Sequence, residues 1–492
     1  MNPGSSELYT VAAVRAIEAR AAHAHALDLW TLMQRAGQAA YRMLRVRWPG
    51  ALRIAIVCGS GNNGGDGYVV AALARAAGLQ VVLVQVGATP ACEPALRAVR
   101  AWCAGGGEVL AYGGGSLSDA DLVVDAVFGI GLDRAPQGSA AAAIEAINAH
   151  AAPVFALDVP SGLNADSGCA PGACVQACAT LSFVAWKRGL WTGMAARLCG
   201  ERQLATLELP PEAFAGIEAD ARLLAQPDVA AALAPRARDL HKGGCGHVLV
   251  IGGDRGHGGA ASLAASAAAR TGAGLVSVAT RAEHVAPILA SIPEAMVQAV
   301  ASREDLRALI ERADVIALGP GLGQSDWGVQ LAQEACGAGR PVVLDADALN
   351  LLAAGHLAAP AACVLTPHPG EAARLLAVEV AAIARDRFAA VRELACRYRA
   401  VVVLKGAGSL IADRDGAVAV CPFGNPGMAS GGMGDALTGI VAALIAQGLG
   451  LADAARTGAL VHASAADRAA RHGERGLLAS DLIAELRMLV NP

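Results

Sequence analysis

Residues 53–78 read RIAIVCGSGNNGGDGYVVAALARAAG. The apolar run Arg53–Cys58 predicts a strand, and the alanine-rich stretch Asp66–Ala77 predicts a helix. Glycines at 59, 61, 64, 65 and 67 predict a turn tight enough for a ligand to reach the backbone. A strand, a glycine loop and a helix form half of a βαβ unit, whose helix N-terminus offers unpaired amides to an anion. The glycines are not spaced as in the dinucleotide fingerprint. Asn62, Asn63 and Asp66 add amide and carboxylate groups that a plain turn does not need.

The same alternation continues outward. Strands are expected at Gln80–Val86, Asp121–Asp125 and Pro153–Asp158, with a helix at Ser139–His150. A second series follows at His247–Ile251, Leu275–Thr280, Val315–Leu318, Val342–Asp345, Cys363–Thr366 and Val401–Lys405. Short β-branched runs separated by helical stretches predict parallel sheets covered on both faces, an α/β fold. Between the series, LELPPEAFAGIEADARLLAQPDVAAAL (207–233) carries Pro210, Pro211 and Pro227, which suit a connection better than a strand. Two domains are expected, 1–215 and 226–492, within the range a chain of 492 residues allows.

A net charge of −4 gives no electrostatic case for nucleic acid or an anionic membrane surface. With 54% hydrophobic and 17% charged residues, general disorder is excluded. The apolar run Ala436–Ala452 holds Thr438, Gln447 and three glycines, so it predicts a buried helix and no membrane span. Twelve scattered cysteines do not form a secreted disulfide framework. Cys169, Cys174 and Cys178 lack the paired spacing of a metal site. The first residues have no apolar signal core, and a cytoplasmic location is expected.

Asp125 and Asp158 each end an apolar strand, where open parallel sheets hold their ligands. A helix cap is the alternative for each alone; with the glycine loop they converge on one crevice. At GNNGGDGYVVA (61–71), DAVFGIGL (125–132) and LDVPSGLNADSG (157–168), residues 1–210 resemble the NAD(P)HX epimerase domain of the bifunctional NAD(P)H-hydrate repair enzymes. That resemblance implies a Rossmann-like three-layer domain. It implies that Asn62, Asn63, Gly64, Gly65 and Asp66, with Gly129, Ile130, Gly131, Leu132, Asp133, Arg134 and Ala135, hold the hydrated dinucleotide. It further implies K+ on Asn63, Asp125 and Ser161, with Asp158 as a substrate contact and the acid/base.

In the second half, VIALGPGLG (315–323), VVLDADALNLL (342–352), VLTPHPGEAARLL (364–376) and VVVLKGAGSLIA (401–412) each end a strand in glycine or polar residues. His368, rigid between two prolines, suits a ligand contact better than a core position. In GNPGMASGGMGDALTGIVAALIAQG (424–448), three glycines lead into Asp435 at a helix start. Helix-start amides there would face a transferring phosphoryl group, and Asp435 could take a hydroxyl proton; an ordinary N-cap is the alternative.

HKGGCGHVLVIGG, GPGLG, TPHPGE, KGAGS and ASGGMGDALTG, in that order, resemble the ribokinase-like superfamily and, within it, the ADP-dependent NAD(P)HX dehydratases. The resemblance implies a ribokinase-like domain in which Ala261, Gly321, His368 and Asp435 contact the hydrate. Lys405, Gly406, Ala407, Gly408, Ser409 and Gly434 would hold ADP. It implies Mg2+, with Glu371 a candidate to organise its waters. Met433 stands where many superfamily members have a small polar residue. The expected ligands are NADHX, NADPHX and ADP, with no nucleic acid or membrane, and a homo-oligomer is expected. A ribokinase-like small-molecule kinase fused to a Rossmann-like regulatory domain is one alternative; a first half that is only a nucleotide-binding or scaffold module is another, and Asn63, Asp125 and Asp158 count against it.

Overall fold

The computed structural model describes residues 6–24, 27–113, 117 and 119–491. The chain forms two compact units that divide between Ala221 and Arg222.

Among the described residues, the first unit holds a sheet of seven parallel strands: β1 (Arg53–Cys58), β2 (Gln80–Gln85), β3 (Leu110–Ala111), β4 (Leu122–Ala126), β5 (Val154–Leu157), β6 (Ala179–Phe183) and β7 (Glu201–Ala205). Their order, β3-β2-β1-β4-β5-β6-β7, reverses direction between β1 and β4. Along β1, Ile54, Ile56 and Cys58 pack into one core and Ala55 and Val57 into another. The sheet is therefore covered on both faces, the three-layer arrangement expected of buried parallel strands. Helices α1 (Val11–Ala24), α2 (Leu29–Arg47) and α3 (Asn62–Ala76) contribute to the first of those cores.

The expected helix start at Asp66 is corrected: α3 begins at Asn62, with Gly61 as its N-cap. The glycine density that suggested a loop serves close packing inside the helix. A Cβ on Gly64 would lie 2.0 Å from the Gly59 carbonyl oxygen, and one on Gly67 would lie 2.7 Å from Cys58 Sγ.

Among the described residues, the second unit carries a run of nine paired strands: β8 (His247–Ile251), β9 (Leu275–Thr280), β10 (Met296–Ala299), β11 (Val315–Leu318), β12 (Val342–Leu344), β13 (Cys363–Leu365), β14 (Val401–Leu404), β15 (Ser409–Ala412) and β16 (Val418–Cys421). Their order is β10-β9-β8-β11-β12-β13-β14-β15-β16. Pairing is parallel as far as β14 and antiparallel across the last two junctions. Helix α4 (Gly258–Thr271) lies against α5 (Met433–Ala446), and α6 (Leu451–Ala469) follows. Small residues set the α4–α5 approach: a Cβ on Gly439 would fall 2.0 Å from the Ala264 carbonyl oxygen. Residues Met433 and Ala436–Ile445 are buried, as expected of this apolar run. Among the described residues, no helix is long and apolar enough to cross a membrane.

Candidate active sites

In the first unit, β1 hands the chain to α3 where the strand order reverses, the place where such sheets bind ligands. A cavity of about 430 Å³ opens there. Of the expected contacts, Asn62, Asn63, Asp66, Gly129, Ile130, Gly131 and Asp158 line it. Gly64 and Gly65 do not; a Cβ on Gly65 would meet Met33 at 2.5 Å, so both serve close packing. Leu132, Asp133, Arg134 and Ala135 also lie off the lining, and Asp133 and Arg134 are exposed. Leu29, Leu32, Met33 and Ala36 from α2 give the cavity an apolar wall.

Asp158 follows β5 with φ +64°, the left-handed region that a non-glycine residue enters at a cost of about 1–2 kcal/mol. Its side chain accepts from Lys187 Nζ at 2.5 Å and from the Phe183 amide at 3.3 Å. Lys187 is 1% exposed and also donates to Ser182 Oγ at 3.1 Å and the Phe183 carbonyl at 2.7 Å. All three ammonium hydrogens are thereby used. Arg15 and Glu18 from α1 reach the same cavity. Burial pushes the Glu18 carboxyl up, opposed by Lys187 and reinforced by Asp158.

Sequence reasoning missed Lys187, Glu18 and Arg15, which sit in no recognisable motif. A signal for Lys187 existed: lysine occurs only at 187, 242 and 405 in this chain, where arginine is the general surface cation.

Asp125 lies on β4, wholly buried, and accepts from the Ser161 amide (2.8 Å), Ser161 Oγ (2.5 Å) and the Val127 amide (3.2 Å). Burial pushes its carboxyl up to about 6 against those hydrogen bonds. Asn63 is 7% exposed, and neither atom of its side-chain amide has a hydrogen-bond partner. A buried amide with nothing to bond to is costly unless a ligand completes it. Among the described residues, no cluster of three or more His, Cys, Asp or Glu side chains suits a metal ion. Cys169, Cys174 and Cys178 are free thiols.

In the second unit, Lys405 ends β14 and pairs with Asp345 at 2.7 Å, with Glu371 at 3.7 Å. Asp345 also accepts from Thr438 Oγ1 at 3.0 Å. Burial raises the Asp345 carboxyl, but Lys405 and the hydrogen bonds outweigh it and hold the group below its usual range. Gly434 fits between them: a Cβ there would be 3.1 Å from Asp345 Oδ2 and 3.2 Å from Lys405 Nζ. Asp435 lies in the first turn of α5, behind the glycine cap Gly432. Burial, then the Asp345 charge, push its carboxyl up to about 6.

His368 caps the helix Pro369–Leu376, its Nδ1 accepting from the Gly370 amide at 2.9 Å. Glu371 Oε2 accepts from the His368 amide at 2.7 Å, completing a reciprocal cap. Both residues therefore carry a local structural task beside the one expected of them. Burial and the neighbouring Lys405 hold the imidazole below its usual value, which favours its neutral form. Ser409 Oγ donates to the Gly406 carbonyl at 3.0 Å, and Gly406 and Gly408 take positive φ, which shapes the 405–409 turn. Ala261 is buried on α4, while Gly321 sits beside His257 with its carbonyl accepting from the Asp254 amide at 2.6 Å.

A family model described as YjeF-related protein N-terminus matches residues 30–189, and one described as NAD(P)H-hydrate dehydratase matches 248–487. A bifunctional NAD(P)H-hydrate repair enzyme of Coxiella burnetii is 48% identical over 99% of this chain and 99% of its own. The protein of that name from Escherichia coli K12 is 45% identical over 97% of this chain and 93% of its own. A crystal structure of a ribokinase-like superfamily protein from Enterococcus faecalis V583 is 28% identical, with a TM-score of 0.51 over 55% of this chain and 95% of that one. These likenesses span both units: the chain belongs to the family of bifunctional NAD(P)H-hydrate repair enzymes.

Proposed function

We propose that the first unit interconverts the R and S hydrates of NADH and NADPH, and that the second dehydrates the S form with ADP, giving NAD(P)H, AMP and phosphate. The observation that carries the reading is Asp435, a carboxyl with a raised pKa in the first turn of α5 beside Lys405. A base so placed can take the C6 hydroxyl proton while helix-start amides receive the developing phosphoryl charge. The phosphorylated oxygen then leaves, expelled by the ring nitrogen's electron pair. Lys405, Gly406, Ala407, Gly408, Ser409 and Gly434 hold the nucleotide, with Lys405 held on its Asp345 partner. Ala261, Gly321 and His368 hold the hydrate.

In the first unit, Asp158 takes the hydroxyl proton of the bound hydrate, opening the ring to an aldehyde that closes on its other face. The Lys187 ion pair holds the Asp158 carboxylate in place for that step. The orphaned Asn63 amide, with Asp125 and Ser161, fits a potassium ion: all three offer oxygen to a hard cation. Bound there, K+ would supply positive charge against the buried Asp125 carboxylate. In the second unit, Glu371 fits Mg2+ through waters, because one of its oxygens is engaged in the helix cap. Mg2+ would neutralise phosphate charge.

The test is to incubate the protein with mixed R and S hydrates and follow NAD(P)H absorbance with ADP, with ATP or with neither. Near-complete recovery that requires ADP is expected. Recovery without nucleotide overturns the dehydratase reading, and recovery that stops when the S form is spent overturns the epimerase reading.

A further inference from the structure

We propose that Asp66 is the acid partner of Asp158, delivering a proton to the ring nitrogen as Asp158 removes one from the C6 hydroxyl. The inference rests on the epimerase reading of the first unit. Opening a cyclic hemiaminal needs two proton movements. The O–H electron pair becomes the second C6–O bond, the C6–N1 bond breaks, and its electron pair passes to nitrogen. A conjugated, amide-like nitrogen is a poor anionic leaving group, so a donor lowers the barrier at N1. After rotation about C5–C6, nitrogen attacks the aldehyde from the opposite side. Asp66 recovers its proton, Asp158 returns the other to oxygen, and the enzyme is unchanged.

Asp66 meets the requirements of that donor. It lines the same cavity as Asp158, from the first turns of α3, and is 9% exposed. Among the described residues it forms no salt bridge, whereas Asp158 is held by Lys187. Two carboxylates sharing one cavity compete for charge, which can separate an acid from a base. The groups facing Asp66 sharpen the division. Burial comes first in raising its carboxyl, followed by the charges of Asp158 and of Glu18 from α1, against Lys187. The Cys58 thiol on β1 is itself pushed up by burial, and Arg15 is the cation among the described residues that line the cavity. The walls from α2 and from Pro94 are apolar.

The test uses the full chain and the R hydrate with ADP, so that NAD(P)H appears only after inversion. Asp66→Asn keeps shape and hydrogen bonding but has no proton to give at neutral pH. Its kcat for inversion is expected to fall about 100-fold or more, with KM within about threefold of wild type. A variant within about threefold of wild-type kcat overturns the proposal, as does a loss that lies wholly in KM, which marks a contact and not an acid. The wild-type pH profile keeps the test independent of how the variant folds. Inversion should slow on the alkaline side as Asp66 loses its proton, and a kcat flat on that side also overturns the proposal. A wild type that cannot invert the R hydrate at all removes the epimerase reading itself.

Discussion

Asp345 and Asp435 are aspartates beside the same lysine, and their surroundings alone divide their tasks. Lys405 and Thr438 hold Asp345 charged, while Asp435 is pushed up to about 6 and has no ion-pair partner among the described residues. A base must be deprotonated to work, so S-hydrate dehydration should decline below about pH 6, about tenfold per unit. Initial rates at saturating ADP between about pH 5 and 8 measure it, and a flat profile removes Asp435 as the base. Asp435→Asn should lower dehydration at least ~100-fold while chromatography of the two hydrates still shows their interconversion. For Lys405, an exposed phosphate-binding cation is the simple picture from KGAGS, yet the side chain is four-fifths buried in a pair with Asp345. Lys405→Ala should therefore weaken ADP binding and also destabilise the second unit by about 3 kcal/mol, through the carboxylate left unpaired. Unchanged denaturation of the variant would show that the pair contributes little. What the sequence concealed here was partnership: Asp345 and Asp435 were visible as strand-end and helix-start residues, but 60 positions separate Asp345 from Lys405.

At the scale of elements, legibility followed apolar continuity. The strands β1, β8, β9 and β11 coincide with their apolar runs. The strands β6 (ATLSF), β7 (ERQLA) and β10 (MVQA) did not stand out, since β7 is a polar edge strand, β10 is a four-residue edge strand and β6 mixes Thr and Ser into its run. β15 and β16 were hidden because their antiparallel pairing breaks the strand–helix alternation used to find the rest. Glycine misled in one place and informed in another. In α3 it reads as loop but acts as a close-packing residue, because the Gly59 carbonyl lies where a Gly64 side chain would be. Gly64→Ala should thus displace the first turn carrying Asn63 and Asp66, lowering epimerisation at least ~10-fold, with destabilisation of about 1–3 kcal/mol. An R-hydrate assay together with denaturation of the first unit checks both. A variant with wild-type values for the two would mean that the loop yields freely.

For the whole molecule, the proposed reading has one unit convert the R hydrate into the S form that the other consumes, so damage to the first should appear as a change in the shape of the repair curve. Asp158→Asn is the obvious probe, because an amide cannot accept a proton at neutral pH. Its stability is a separate matter: Lys187 is 1% exposed, with Asp158 as its counter-charge. Leaving a buried ammonium unpaired costs about 3–5 kcal/mol, whereas removing both charges of a buried pair is often close to neutral. The double variant Asp158→Asn with Lys187→Met should accordingly recover most of the stability lost by the single one. Neither can invert the substrate. On a racemic hydrate with excess ADP, wild type should restore NAD(P)H in one continuous phase to near completion. Both variants should show a fast phase that ends when the S form is spent, then a slow tail set by uncatalysed inversion. The fast phase should keep its wild-type rate, because Asp345, Lys405 and Asp435 all belong to the other unit. If the double variant folded and still consumed both epimers in one fast phase, Asp158 would not be the acid/base. If the fast phase itself slowed in step with the tail, the two activities would not be separable by unit, and repair would have to be a property of the intact chain.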